Sequence, residues 1–159
     1  MFEARLRELG LDLPPAAEPS FNYVPVTVHN GTAYLSGQLP KRDGAVRIVG
    51  KAGAEVDLET AREEARICIL QGLACLRDAL GGLDHIERIL KVTGFVASAP
   101  GFNAQPAVID AASDLLGEIF GPAGRHARAA VGVAELPRNA VVEIEMIVAC
   151  RMDRSAHET

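Results

Sequence analysis

"YVPVTVHNGTAYLSGQLP", residues 23 to 40, sets two β-rich runs on either side of Asn30-Gly31, a pair able to adopt the positive φ angles of a tight hairpin turn. Val24, Val26 and Val28 share one face of the first run. Ala33 and Leu35 carry that face past the turn, because side chains alternate with period two along a strand. A hairpin therefore opens the body of the chain, and the rest can be read outward from it.

Downstream, "AVRIV" (45 to 49) reads as a third strand. Asp57 is a good N-cap, and Leu58, Ala61, Ala65, Cys68, Ile69, Leu73, Leu76 and Leu80 keep a helical period until Gly81-Gly82 stops it. "IERILKVTGFVASA" (86 to 99) is β-branched and aliphatic and reads as a strand. Asn103 is placed to cap a second helix with the apolar face Val108, Ala111, Leu115 and Ile119, ended by Gly121-Pro122. Two strands follow, at about 127 to 134 and 140 to 150. This order predicts an α+β fold with a single mixed β-sheet and two helices packed on one face. The other face then lacks a cover, and apolar residues on both sides of the last strands point to a second copy of the chain.

Upstream, Phe2, Leu6 and Leu9 recur at helical spacing before Gly10, and three prolines in "LDLPPAAEPS" (11 to 20) oppose both helix and central strand. The expected organisation is an N-terminal helix and Pro-rich extension (1 to 20), one domain (21 to 152) and a flexible tail (153 to 159). At 159 residues with 48% apolar side chains, the chain can bury a core without staples. A net charge of -5 with no Lys/Arg run gives no footprint for nucleic acid or an anionic membrane, and no apolar run reaches the roughly 18 residues of a membrane span. With no export signal at the N-terminus, the cytoplasm is the expected location. Cys68, Cys75 and Cys150 read as buried free thiols.

Chemistry-bearing residues gather near the C-terminus. In the last strand Val142, Ile144, Met146 and Val148 point one way, while Glu143 and Glu145 share the other face with Val141 and Ile147. Arg128 lies among small residues, with Ala130 and Gly132 next along its own face. A partly buried arginine needs a partner, which is either Glu143 or Glu145 as a structural salt bridge, the better match on spacing alone, or a ligand carboxylate. His126 reads as a polar residue at a strand start more readily than as an acid or base. No His/Cys/Asp/Glu spacing suits a metal, no nucleophile elbow is present, and no phosphate-binding pattern appears.

"YLSGQLP" (34 to 40), "KVTGFVAS" (91 to 98) and above all "HARAAVGVAELPRNAVVEIEMIV" (126 to 148) resemble the YjgF/RidA family, also called the endoribonuclease L-PSP family. The resemblance covers roughly residues 23 to 151 and implies a chorismate-mutase-like fold assembled as a homotrimer with ligand clefts between subunits. It implies hydrolysis of reactive 2-imino acids to 2-oxo acids and ammonia, with no cofactor or metal. Carried over by position, Arg128 matches the arginine that holds the substrate carboxylate and Glu143 the glutamate that positions water. Tyr23 matches a cleft tyrosine, and Gly37 a glycine whose backbone approaches the ligand. Ala130 stands where many members carry Cys, and Ser113 or a neighbour where many place Asn. With the added 41-to-57 passage, these departures mark a divergent subgroup. A trimeric small-carboxylate-binding module without turnover is the rival reading. The acidic balance argues against the ribonuclease of the family's older name.

Overall fold

The computed structural model describes residues 1–18 and 21–151; the expected tail at 153 to 159 lies outside them. The hairpin forms where Asn30-Gly31 requires it: β1 (Val26–His29) and β2 (Thr32–Gln38) pair with His29 opposite Thr32. Asn30 and Gly31 take φ angles of 48° and 74°, the left-handed values of a two-residue hairpin loop.

The expected third strand does not join the sheet. β3 (Lys41–Arg42) and β4 (Ala45–Val46) fold back on each other through Asp43-Gly44 as a separate two-stranded ribbon, and Val49 makes only an isolated bridge to Ala140. The reason is positional: β2 already has β1 on one side and a later strand on the other, so the chain leaving it finds no free edge. An ion pair of 2.6 Å from Arg42 to the buried Glu64 fastens the ribbon to α2 (Leu58–Leu80), which starts at Asp57 with the side chain accepting the Thr60 N–H.

β5 (Ile86–Ala97), α3 (Gln105–Phe120), β6 (Ala127–Val133) and β7 (Val142–Cys150) complete the fold. The sheet order is β1-β2-β7-β5-β6, antiparallel throughout except for β5 and β6, which run parallel because α3 carries the chain back between them. Asn103 does not cap α3. Ala104 occupies that position without a side-chain bond, Pro106 in the first turn has no N–H to cap, and Gln105 Nε2 turns back to the Phe102 carbonyl at 2.8 Å.

Both long helices lie on one face. Val92, Val142, Ile144, Met146 and Val148 are buried beneath them with Ile69, Leu73, Leu76, Ile109, Leu115 and Leu116, each such side chain contributing about 1.5–3 kcal/mol by its burial. The short α1 (Phe2–Glu8) packs on this body through Leu6 and an edge-on contact of Phe2 with Phe120, ring centres 4.6 Å apart. Among the described residues nothing covers the opposite face of the sheet. Tyr34 and Val131 stand 46% and 42% exposed there, with Glu143, Glu145, Phe95 and Ile147 alongside in the register.

Candidate functional site

Two groups of candidate residues emerge, on different strands and different faces. The first lies on the uncovered face. Between Leu35 and Gln38 the register of β2 against β7 slips, so Ser36 and Gly37 bulge from the ladder. Glu143 points into the space left there: a Cβ on Gly37 would lie 2.7 Å from its Oε1 and 3.0 Å from its Cδ. The absence of a side chain at 37 is therefore what gives the carboxylate its position.

Glu143 is half-buried, and among the described residues nothing pairs with it. Burial first, and the neighbouring Glu145 charge second, push its carboxyl above the usual range. The same bulge holds Tyr23 nearby in the chain, because the Ser36 N–H donates to the Pro25 carbonyl at 2.8 Å and Ser36 Oγ to the Val24 carbonyl at 2.7 Å. Tyr23 is 50% exposed and lines a recess of about 450 Å³ with Val24, Pro25, Cys75 and Asp78.

The second group surrounds Arg128 on the edge strand β6. Arg128 pairs in register with Val92, whose side chain is buried under the helices, so the arginine leans toward α3. Its Nη1 donates to Asp110 Oδ1 at 2.7 Å and to Ser113 Oγ at 3.2 Å, and Nη2 approaches the Pro106 carbonyl at 3.5 Å. His126 completes the chain of contacts, with Nδ1 2.7 Å from the Gly124 carbonyl and Nε2 2.9 Å from Ser113 Oγ. A carbonyl only accepts, so Nδ1 bears the proton; in the neutral ring Nε2 then accepts from the serine hydroxyl, leaving its oxygen to accept from Arg128. A cavity of about 290 Å³ opens beside Ser113, Gly117, Arg125, His126 and Arg128. Ala130 follows Arg128 on β6, opposite Gly94, and packs partly buried against the core.

The salt bridge expected from spacing, Arg128 with Glu143 or Glu145, does not form. The glutamates are on the uncovered face and the arginine on the helix side, with β5 between β6 and β7. At roughly 4.8 Å per strand this leaves about 10 Å between the two backbones, with the thickness of the sheet in addition. Gly37 and Glu143 thus form one group and Arg128, Ser113 and Ala130 the other, a single chain does not unite them, and Tyr23 lines a separate recess against Cys75 and Asp78 of α2, on the helix side.

Asp110 does not stand out in the sequence as a site residue. Its signal is the polar group Asp110, Ser113 and Asp114 at helical spacing, flanking the apolar face of α3. Of the cysteines, Cys68 is fully buried, its thiol held far up by burial first and then by Glu64 and Glu143; burial likewise raises Cys75 and Cys150. Among the described residues no three His, Cys, Asp or Glu side chains gather as a metal site, and no helix is long and apolar enough to cross a membrane.

Residues 3–149 match the family model described as "YjgF/chorismate_mutase-like, putative endoribonuclease". Protein TCP17 of Trypanosoma cruzi is 43% identical over 146 residues, covering 91% of each chain. The 2-iminobutanoate/2-iminopropanoate deaminase of Dermatophagoides farinae is 33% identical over 138 residues, 87% of this chain and 93% of its own. The crystal structure of protein Atu1372 from Agrobacterium tumefaciens, of unknown function, superposes with a TM-score of 0.87 at 45% identity, covering 95% of this chain and 92% of that one.

Proposed function

The chain belongs to the YjgF/chorismate mutase-like family, and on that premise we propose that it is a cytoplasmic imine deaminase, hydrolysing reactive 2-imino acids to 2-oxo acids and ammonia. The observation that carries this reading is the Glu143 carboxylate, half-buried, seated against Gly37 and without a partner among the described residues. A carboxyl raised toward neutrality is better matched to general-base work than an ordinary one. The likeness to a named deaminase at 33% identity supports the same class.

The chemistry is modest. A protonated imine carbon is already electrophilic. Arg128 fixes the substrate carboxylate and Glu143 holds a water, taking its proton as the oxygen adds to that carbon. The nitrogen of the resulting carbinolamine then receives a proton and leaves as ammonia, the carbon–nitrogen bond breaking as the carbonyl forms. No cofactor or metal enters these steps. Gly37 lines the Glu143 side and Ser113 and Ala130 the Arg128 side, while Tyr23, whose recess faces α2, serves as the cleft tyrosine only if the neighbouring subunit approaches there.

Because the two groups sit apart in one chain, the reading requires a homotrimer in which the Arg128 edge of one subunit meets the Glu143 face of the next. The uncovered face with its exposed Tyr34 and Val131 supplies a surface for that packing. A second reading, a trimer that binds small carboxylates without turnover, is favoured by one fact: Asp110, Ser113 and the Pro106 carbonyl already occupy the Arg128 guanidinium. Ribonuclease action has less support, since a net charge of -5 gives no hold on phosphates.

A coupled assay that generates 2-iminobutanoate or 2-iminopropanoate in situ tests the proposal. Wild type accelerates ammonia release and Arg128→Ala loses about 10²-fold or more of kcat/KM, in line with removing a substrate-positioning clamp. A wild type no faster than buffer sinks the enzymatic reading, and carboxylate binding without turnover then selects the second.

A further inference from the structure

We infer that Asp110 is a specificity-determining residue that makes the Arg128 site select zwitterions, carrying a cationic nitrogen next to the carboxylate, over plain carboxylates. This deepens the proposed function and rests on its reading of Arg128 as the carboxylate anchor. The starting observation is that the strongest contact of Arg128 is a carboxylate of its own chain, Asp110 Oδ1 at 2.7 Å.

That pair is not a sealed structural bridge. The Asp110 side chain is 55% exposed against 23% for Arg128, so the anion faces solvent and the cation is the more sheltered of the two. Among the described residues no hydrogen bond engages Asp110 Oδ2 or Arg128 Nε. One acceptor and one donor of the pair thus remain open, carrying opposite charges within a few ångströms of each other.

A ligand meets such a pair best with the complementary dipole. A 2-iminium or 2-amino acid carries its carboxylate and its N–H donors on adjacent atoms. The carboxylate can take the free Nε–H edge of Arg128 while the nitrogen donates to Asp110 Oδ2. A 2-oxo acid offers Asp110 only a carbonyl oxygen, an acceptor facing an anion, which is repelled. The arrangement therefore holds the protonated imino acid and disfavours its oxo product, which helps the product leave. Ser113 Oγ and the Pro106 carbonyl keep the guanidinium in place while Asp110 shares itself with the ligand.

Calorimetry on the full chain with alanine and pyruvate at neutral pH tests this, the amino acid serving as a stable stand-in for the protonated imine. Wild type is expected to bind alanine about tenfold more tightly than pyruvate, the worth of one charge-assisted hydrogen bond. Asp110→Asn, which keeps a hydrogen-bonding oxygen for Arg128, is expected to erase that preference while pyruvate binds no worse; Arg128→Ala loses both ligands. A wild type that prefers pyruvate, binds neither ligand, or changes equally for both in Asp110→Asn overturns the inference. Unchanged binding of both in Arg128→Ala instead removes the carboxylate anchor, and the proposed function with it. An alanine preference in a protein inactive in the imine assay would support the inference while the deaminase reading failed.

Discussion

The Glu143 face and the Arg128 edge solve opposite problems. On the first, a carboxylate is half-buried with no partner among the described residues, and burial raises its pKa. On the second, a guanidinium is held at 23% exposure by a carboxylate, a hydroxyl and a carbonyl, all from α3. One region keeps a reactive group unsatisfied by shape alone, through a bulge and a missing Cβ. The other keeps a binding group rigid by satisfying most of it. A site that needs both a base and an anchor can draw on the two only across a subunit boundary.

The sharpest way to break the Glu143 side without touching a charge is Gly37→Val. Its Cβ would claim the volume of the carboxylate, 2.7 Å from Oε1, and because a flexible side chain can swing away, the fold survives. The expected result is a loss of about 10²-fold in kcat/KM from misplacement of the base, with the thermal unfolding midpoint little changed. Full activity in this variant would show that the carboxylate position at Gly37 has no catalytic meaning.

A smaller effect separates Glu145 from Glu143. On the proposed reading Glu143 acts as the ionised carboxylate, so kcat/KM is expected to fall as pH drops through its pKa, which is raised from the ordinary carboxylate value. The larger cause is burial and the lesser is the Glu145 charge. Glu145→Gln removes only the lesser one and so moves the acid limb of the profile to lower pH, with the plateau retained. An upward movement, or a lost plateau, would give Glu145 a direct part in the chemistry.

How much of this could be read from sequence follows the range of the interactions. The Asn30-Gly31 hairpin, the Asp57 cap and the period of α2 are local, and they form as expected. The strand at 45 to 49 is a plausible strand locally, but its place depends on whether β2 has a free edge, which only the order of distant strands decides. Arg128 and Glu143 stand out as charges in apolar strands, yet their partners depend on which face each strand presents. A pairing across fifteen residues of sequence becomes impossible once β5 lies between their strands. Asp110 is hidden for a related reason: a single acid beside an apolar helix face looks solvated until the edge strand brings Arg128 to it.

The central claim, a site shared between subunits, is tested most directly by complementation. Arg128→Ala and Glu143→Ala, each inactive alone, are unfolded together in equal amounts, refolded and assayed for imine hydrolysis. If the anchor and the base come from different subunits, random mixing restores about one quarter of the sites, since half the anchors and half the bases are intact and combine independently. If both came from one chain, every site would lack one or the other, and activity no higher than either variant alone would contradict the account.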